Sequence, residues 1–356
     1  MVKGEFKRGV NGVLNRRQFS LSLAMSASAC SLAANATDAR AERSRVTLAV
    51  SGKSSFYYLP LTIAEQLGYF EQEGLELEMM EFPSALKAQQ ALTSGTVDAV
   101  CGSFDHVINL QSKNQSVQSF VAMGRTPQMA LGVSLKNMPD YKEVIDLKGK
   151  KIGITAPGTA SNLMANLWVQ RAGLLTSEVS FIGVGTAAGA IAAIRSGQID
   201  AVCNLDPVMT MLQQKGDVKI VSDARTLLGT RALYGGLMPG ACLYAPQDYI
   251  QKNRFVAQAL TNALVHALKW LQTAGPRDLI RVVPEANLLG DRGLYLASYN
   301  NLRESISLDG TIADEEAKTA LRVLSNFVPA LKAEKIELSK TFTNAYAKRA
   351  KAQFKA

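Results

Sequence analysis

Cysteine and histidine are scarce in this sequence, with four and two among 356 residues. The cysteines share no C-x-x-C spacing, and Cys30 falls in an apparent targeting segment. Cys101, Cys203 and Cys242 remain, an odd number, which argues against a disulfide framework, zinc or thiol redox chemistry. Cys101 and Cys203 each follow Ala-Val in a strand-like run and are expected to be buried small hydrophobes. Low-complexity tracts and heptad runs are missing, and no basic cluster interleaves with aromatics, so the formal charge of +9 is no case for nucleic acid. Without residues 1–41 the chain holds 33 basic and 28 acidic residues, a net of about +5, compatible with a small anionic ligand.

The composition that remains, 47% hydrophobic and 19% charged, is globular, and the length fits two or three domains. The N-terminus reads as an export signal over residues 1–41. Paired Arg16 and Arg17 precede Phe19 and Leu21, an uncharged Ala, Ser and Leu stretch runs to Ala36, and small-x-small cleavage sites end at Ala36 and Ala41. This has the look of a twin-arginine signal. The apolar run is too short and serine-rich to span a bilayer, and Ala27-Ser28-Ala29 lacks the leucine expected before a lipid-anchored Cys30. An exported, periplasmic protein is the reading.

One phrase occurs twice. SGTVDAVC at Ser94–Cys101 returns as SGQIDAVC at Ser196–Cys203, identical at six of eight positions. Each copy follows a helix-forming stretch, Ala85–Leu92 and Ala187–Ile194, with a glycine where a left-handed helix C-cap belongs. Each then enters a short apolar run suited to a buried strand, followed by a polar turn and another helical segment. Strands are also expected at Val46–Val50, Leu75–Met79 and Lys151–Thr155. The fold class is therefore α/β: two similar lobes, each a mainly parallel sheet flanked by helices. Residues 46–126 and 240–356 are expected to form lobe one, and 127–239 lobe two, with crossings near Met123–Gln128 and Gly235–Gly240. In such sheets ligands bind beyond the carboxyl ends of the strands, here in a cleft between lobes.

Leu59-Pro60-Leu61, Ala64-Glu65, Gly68-Tyr69-Phe70, Glu73-Gly74-Leu75, Asp146–Gly153 and Asp200-Ala201-Val202 with Asp206-Pro207 resemble periplasmic substrate-binding proteins of ABC importers. The branch is the one for aliphatic sulfonates, taurine and nitrate, with relatives that bind the pyrimidine precursor of thiamine. The resemblance implies a clamshell that closes on a small-molecule ligand, needs no cofactor, acts as a monomer and delivers its ligand to an ABC permease.

Candidate ligand contacts follow from both readings. Gly158, Thr159, Ala160 and Ser161 open a helix whose free N–H groups and dipole suit an anion. An aspartate at 161 should then suit the empty helix while repelling an anionic ligand. Ser103 and Phe104 follow the first repeated strand, and Asn204 and Asp206 the second; Asp206 also reads as a helix cap. Ser55, Phe56 and Tyr57 offer a polar and aromatic wall, and Arg125 a cation at the first crossing.

Enzyme motifs fail. Ser51-Gly52-Lys53-Ser54 resembles the end of a phosphate loop, but Thr47 stands where its first glycine is required. His266 is expected on the exposed side of a long helix, and His106 near the cleft with no nucleophile marked beside it. The fungal pyrimidine synthase of this fold needs an active-site histidine and a cysteine-rich run, and this sequence has no such run. Three functions follow: a transport receptor as the main reading, then a pyrimidine-precursor synthase or binding protein, then an exported ligand sensor.

Overall fold

The computed structural model describes residues 44–328, 331 and 333–356. The expected export segment, with Cys30, lies outside them. In chain order β1 (Ser44–Val50), β2 (Leu75–Glu81), β3 (Ala99–Ser103) and β4 (Val117–Ala122) build a first sheet. Strands β5 (Met129–Ser134), β6 (Lys151–Ile154), β7 (Ser180–Gly183), β8 (Ala201–Leu205) and β9 (Val218–Asp223) build a second. Strand β10 (Ala241–Pro246) returns to the first. The spatial orders are β2-β1-β3-β10-β4 and β7-β6-β8-β5-β9. In each, one strand runs antiparallel to its neighbours, β10 and β5 respectively.

Helices α1 (Leu59–Gln66), α2 (Ala85–Thr93) and α3 (Phe104–Ser112) flank the first sheet. Around the second lie α4 (Ala160–Gln170), α5 (Ala188–Ser196), α6 (Val208–Gln214) and α7 (Leu227–Tyr234). After β10 come α8 (Arg254–Thr273), α9 (Arg292–Leu302), α10 (Asp314–Phe327) and α11 (Ala345–Phe354), with α8 packed against α1 and α11. His266 of α8 is half-buried rather than exposed. Its ring stacks between Tyr69 and Phe354, with centroids 3.8 and 4.6 Å away.

The repeated phrase turns out to be one joint made twice. Ser94 and Ser196 hydroxyls each donate back to the carbonyl three residues earlier, at 3.0 and 3.2 Å. Gly95 and Gly197 then take φ of +75° and +82°, where a side chain would be strained. Asp98 accepts from the Thr47 N–H of β1 at 2.8 Å, and Asp200 from the Lys151 N–H of β6 at 2.9 Å. The carboxylate thus clips the arriving strand to the strand beside it. Strands β3 and β8, buried along their whole length, are thereby set at the centre of their sheets. Their Ala-Val-Cys runs face apolar surroundings, and Cys101, Cys203 and Cys242 are all buried free thiols. Burial pushes the Cys242 thiol up to about 12, so it stays protonated and unreactive at neutral pH.

Candidate binding cleft

Segments that follow the carboxyl ends of six parallel strands meet in one pocket. Ser51 follows β1, Pro83 and Ser84 follow β2, and Ser103 ends β3; Thr155, Gly185 and Leu205 stand in the same places after β6, after β7 and at the end of β8. The space between them is about 510 Å³, part of it open to solvent. This is where a doubly wound sheet holds its ligand.

Four helices begin at this pocket. Ser84 caps α2, Ser103 stands at the N-cap of α3, Thr159 at that of α4, and Thr186 just precedes α5. The first N–H groups of a helix have no carbonyl of their own helix to bond, and its dipole favours negative charge there. None of the residues lining the pocket carries a formal charge, and the nearby Asp105 carboxylate is buried behind Ser103 and His106. Tyr58, Met129 and Leu205 add apolar wall.

His106 lies one turn into α3 and lines the pocket. Its Nδ1 accepts the Ser103 N–H at 3.3 Å, which places the ring proton on Nε2. That Nε2 is buried without a hydrogen-bond partner among the described residues, and so is the Tyr57 hydroxyl. Burial lowers the His106 pKa, with the neighbouring Asp105 carboxylate opposing, so the imidazole is neutral at pH 7. Asp105 is itself occupied by the Ser103 hydroxyl. Two neutral donors on pocket-lining residues are therefore buried with nothing to donate to.

Of the residues expected at the site, Tyr57, Ser103, Thr159 and Ala160 line the pocket, and the others do not. Phe56 is fully buried against Tyr295, ring centroids 4.3 Å apart, and Phe104 is buried near Phe342; for both, core packing wins over cleft exposure. Ser55 donates to the Gly52 carbonyl at 2.8 Å. Gly158, exposed with φ +75°, gives its N–H to the Asn162 side chain at 3.0 Å. Ser161 is fully buried, accepts the Thr155 N–H at 2.9 Å and sits within 3.0 Å of the Thr155 and Thr159 hydroxyls. It braces the loop rather than facing a ligand. Asn204 bonds the Gly185 carbonyl at 2.9 Å and the Leu205 N–H at 2.8 Å.

Arg125 gives its N–H to the Ser305 carbonyl at 2.8 Å and is half-buried away from the pocket. The buried cation is Arg225 instead, held at 3.2 Å from Asp206 and 2.6 Å from Asp223. Asp206 also caps α6 through the Thr210 N–H at 2.8 Å, as its sequence position suggested. Burial raises the Asp206 carboxyl pKa while the Arg225 guanidinium opposes it. Lys53, in the segment resembling a phosphate loop, is tied to Glu65 at 2.6 Å.

His106, Thr155, Ser84 and Thr186 went unassigned in the sequence. The signal for the last two was present: β2 and β7 are also parallel strands followed by a hydroxyl residue and a helix. Tyr57 and His106 were expected at or near the cleft, but not as unpartnered donors, because only packing decides which polar atoms of such rings find a partner.

Residues 55–275 match the family model described as NMT1/THI5 like. The chain belongs to that family. A solved structure from Bordetella bronchiseptica RB50 is 48% identical, with a TM-score of 0.85 over 88% of this chain and 99% of that one. The alkanesulfonate-binding protein SsuA from Xanthomonas axonopodis pv. citri, bound to MOPS, is 18% identical, with a TM-score of 0.65 over 86% of this chain and all of that one. That likeness is one of fold, and the NMT1/THI5-like chain has the two-lobed fold of periplasmic binding proteins. Among curated relatives, the 4-amino-5-hydroxymethyl-2-methylpyrimidine phosphate synthase of Schizosaccharomyces pombe is 25% identical over 218 residues, 60% of each chain.

Proposed function

We propose that this protein is an exported solute receptor that holds a small organic anion, of sulfonate or carboxylate type, between its lobes and hands it to an ABC permease. The observation that carries the reading is the convergence of four helix N-termini on one pocket without a charged side chain. Such a site stabilises an oxyanion through oriented N–H groups and leaves no fixed countercharge to satisfy in its absence. Tyr57, Tyr58, Met129 and Leu205 would cover the organic part, with the His106 and Tyr57 donors meeting an acceptor on it. The signal-like N-terminal sequence supports a periplasmic location, and the mature N-terminus is expected near Glu42, read by mass spectrometry of the secreted protein.

Thermal unfolding of the purified protein with MOPS, taurine, nitrate and the hydroxymethylpyrimidine, each added separately, tests the reading. A ligand at one hundred times its dissociation constant stabilises the fold by about 2.7 kcal/mol. Stabilisation by an anion supports the proposal; stabilisation by the neutral pyrimidine alone overturns it. One observation favours that second reading, a pyrimidine binder or synthase: the neutral His106 and Tyr57 donors suit a heterocycle nitrogen as well as an oxygen.

A further inference from the structure

The two lobes touch at more than their crossings. Helix α9 is anchored to the first lobe, where the Tyr299 hydroxyl donates to the Leu271 carbonyl at 2.9 Å and Tyr295 packs on Phe56. Its far end reaches the second lobe. Asn301 donates to the Thr210 hydroxyl at 2.9 Å, and Glu304, just beyond the helix, accepts the Leu227 N–H at 2.9 Å. Thr210 in turn accepts from Arg225 at 3.1 Å, and Arg225 holds Asp206. The Asp206 carbonyl accepts the Phe56 N–H at 3.1 Å, back in the first lobe. The contacts form a closed circuit across both lobes, through α9 at one point and through the Asp206 carbonyl at another.

Two chain crossings alone would leave the lobes free to rotate about them. The α9 contacts to Thr210 and Leu227 have hydrogen-bond geometry at one interlobe angle and are lost at others. We propose that α9 and the turn after it, Arg292–Ser305, are a strut that biases the lobes towards one interlobe angle before any ligand is bound. The strut acts on the closing motion rather than on ligand contact, and no step of it depends on which solute the cleft takes. Ligand would then add to a closure that the protein already favours, so its binding free energy need not supply the whole conformational change.

Small-angle scattering of the full exported protein, unfolded and refolded to strip any bound solute, tests the strut directly. Asn301 and Glu304 are both exposed, so their replacement leaves the cores intact. The Asn301→Ala, Glu304→Ala double variant should show a larger radius of gyration and a longer maximum dimension than wild type. Arg303→Ala removes an exposed side chain that, among the described residues, bonds the Gln272 carbonyl of the first lobe, and it should scatter like wild type. Far-UV circular dichroism and the urea midpoint establish that each variant is folded. A folded double variant with the wild-type radius overturns the proposal, as does an equal expansion in Arg303→Ala. If the double variant does not fold, the two single variants decide by the same readings. No solute is added, so this outcome is independent of the ligand screen.

Discussion

His106 is where charge, burial and the cleft meet. Its folded pKa lies below the ordinary value because burial disfavours the imidazolium, and His266 is lowered for the same reason. The unfolded chain therefore binds more protons below about pH 6.5, and stability present above that value is lost as the pH falls towards the folded pKa. The urea midpoint should drop between about pH 7.5 and pH 5.5, and His106→Phe should flatten part of that slope. The same variant removes the unpartnered Nε2 donor of a pocket-lining residue. Calorimetry with the bound solute should then show affinity weakened about tenfold, the equivalent of one hydrogen bond. Unchanged affinity would mean that His106 faces the cleft without touching the ligand. Ser161 behaves differently. Ser161→Ala leaves the buried Thr155 N–H without its acceptor and should cost about 1–3 kcal/mol in thermal unfolding. Ser161→Asp, which the sequence alone would have tolerated, should destabilise as well, since the site is fully buried.

At the scale of elements, the repeated Ser-Gly-Asp joint makes a paired prediction. Asp98→Ala should lower the urea-derived stability by about 1–3 kcal/mol and Asp200→Ala by about 0.5–1.5 kcal/mol, because each frees one backbone N–H of a neighbouring strand and the Lys151 N–H is exposed to water. A silent variant in one lobe only would show that the copies share sequence without sharing a job. The joint was legible because its parts are local: a glycine at a helix end and a β-branched run within eight residues follow backbone rules. The same locality gave β1, β6 and α4 to within a few residues. The pocket was half legible. Thr159 and Ser103 could be placed by the rule that ligands sit beyond strand ends. Phe56, Phe104 and Arg125 could not, because the direction of a ring depends on partners such as Tyr295 and Phe342, and the path of the Arg125 backbone on Ser305, all remote in the chain. Arg225 was invisible for the same reason, since Asp206 lies nineteen residues away from it.

For the whole molecule the crossings are a tight point. The Gly240 N–H donates to the Gly124 carbonyl at 3.0 Å, and a β-carbon on Gly240 would lie 2.0 Å from the Thr126 carbonyl oxygen. Gly240→Ala must therefore push the two crossings apart, with an expected loss of about 1–3 kcal/mol in urea unfolding and a changed radius in scattering. A variant as stable and compact as wild type would show that the crossings can separate freely. The order of the strands also has a consequence for how the chain is made. All five strands of the second sheet lie between Met129 and Asp223, so that sheet can assemble from one continuous stretch. The first sheet has a gap between β3 and β4 that only β10, Ala241–Pro246, fills. As the polypeptide leaves the ribosome, its earliest strands must wait for a piece synthesised after the entire second sheet. The half that is made first is the half that is finished last.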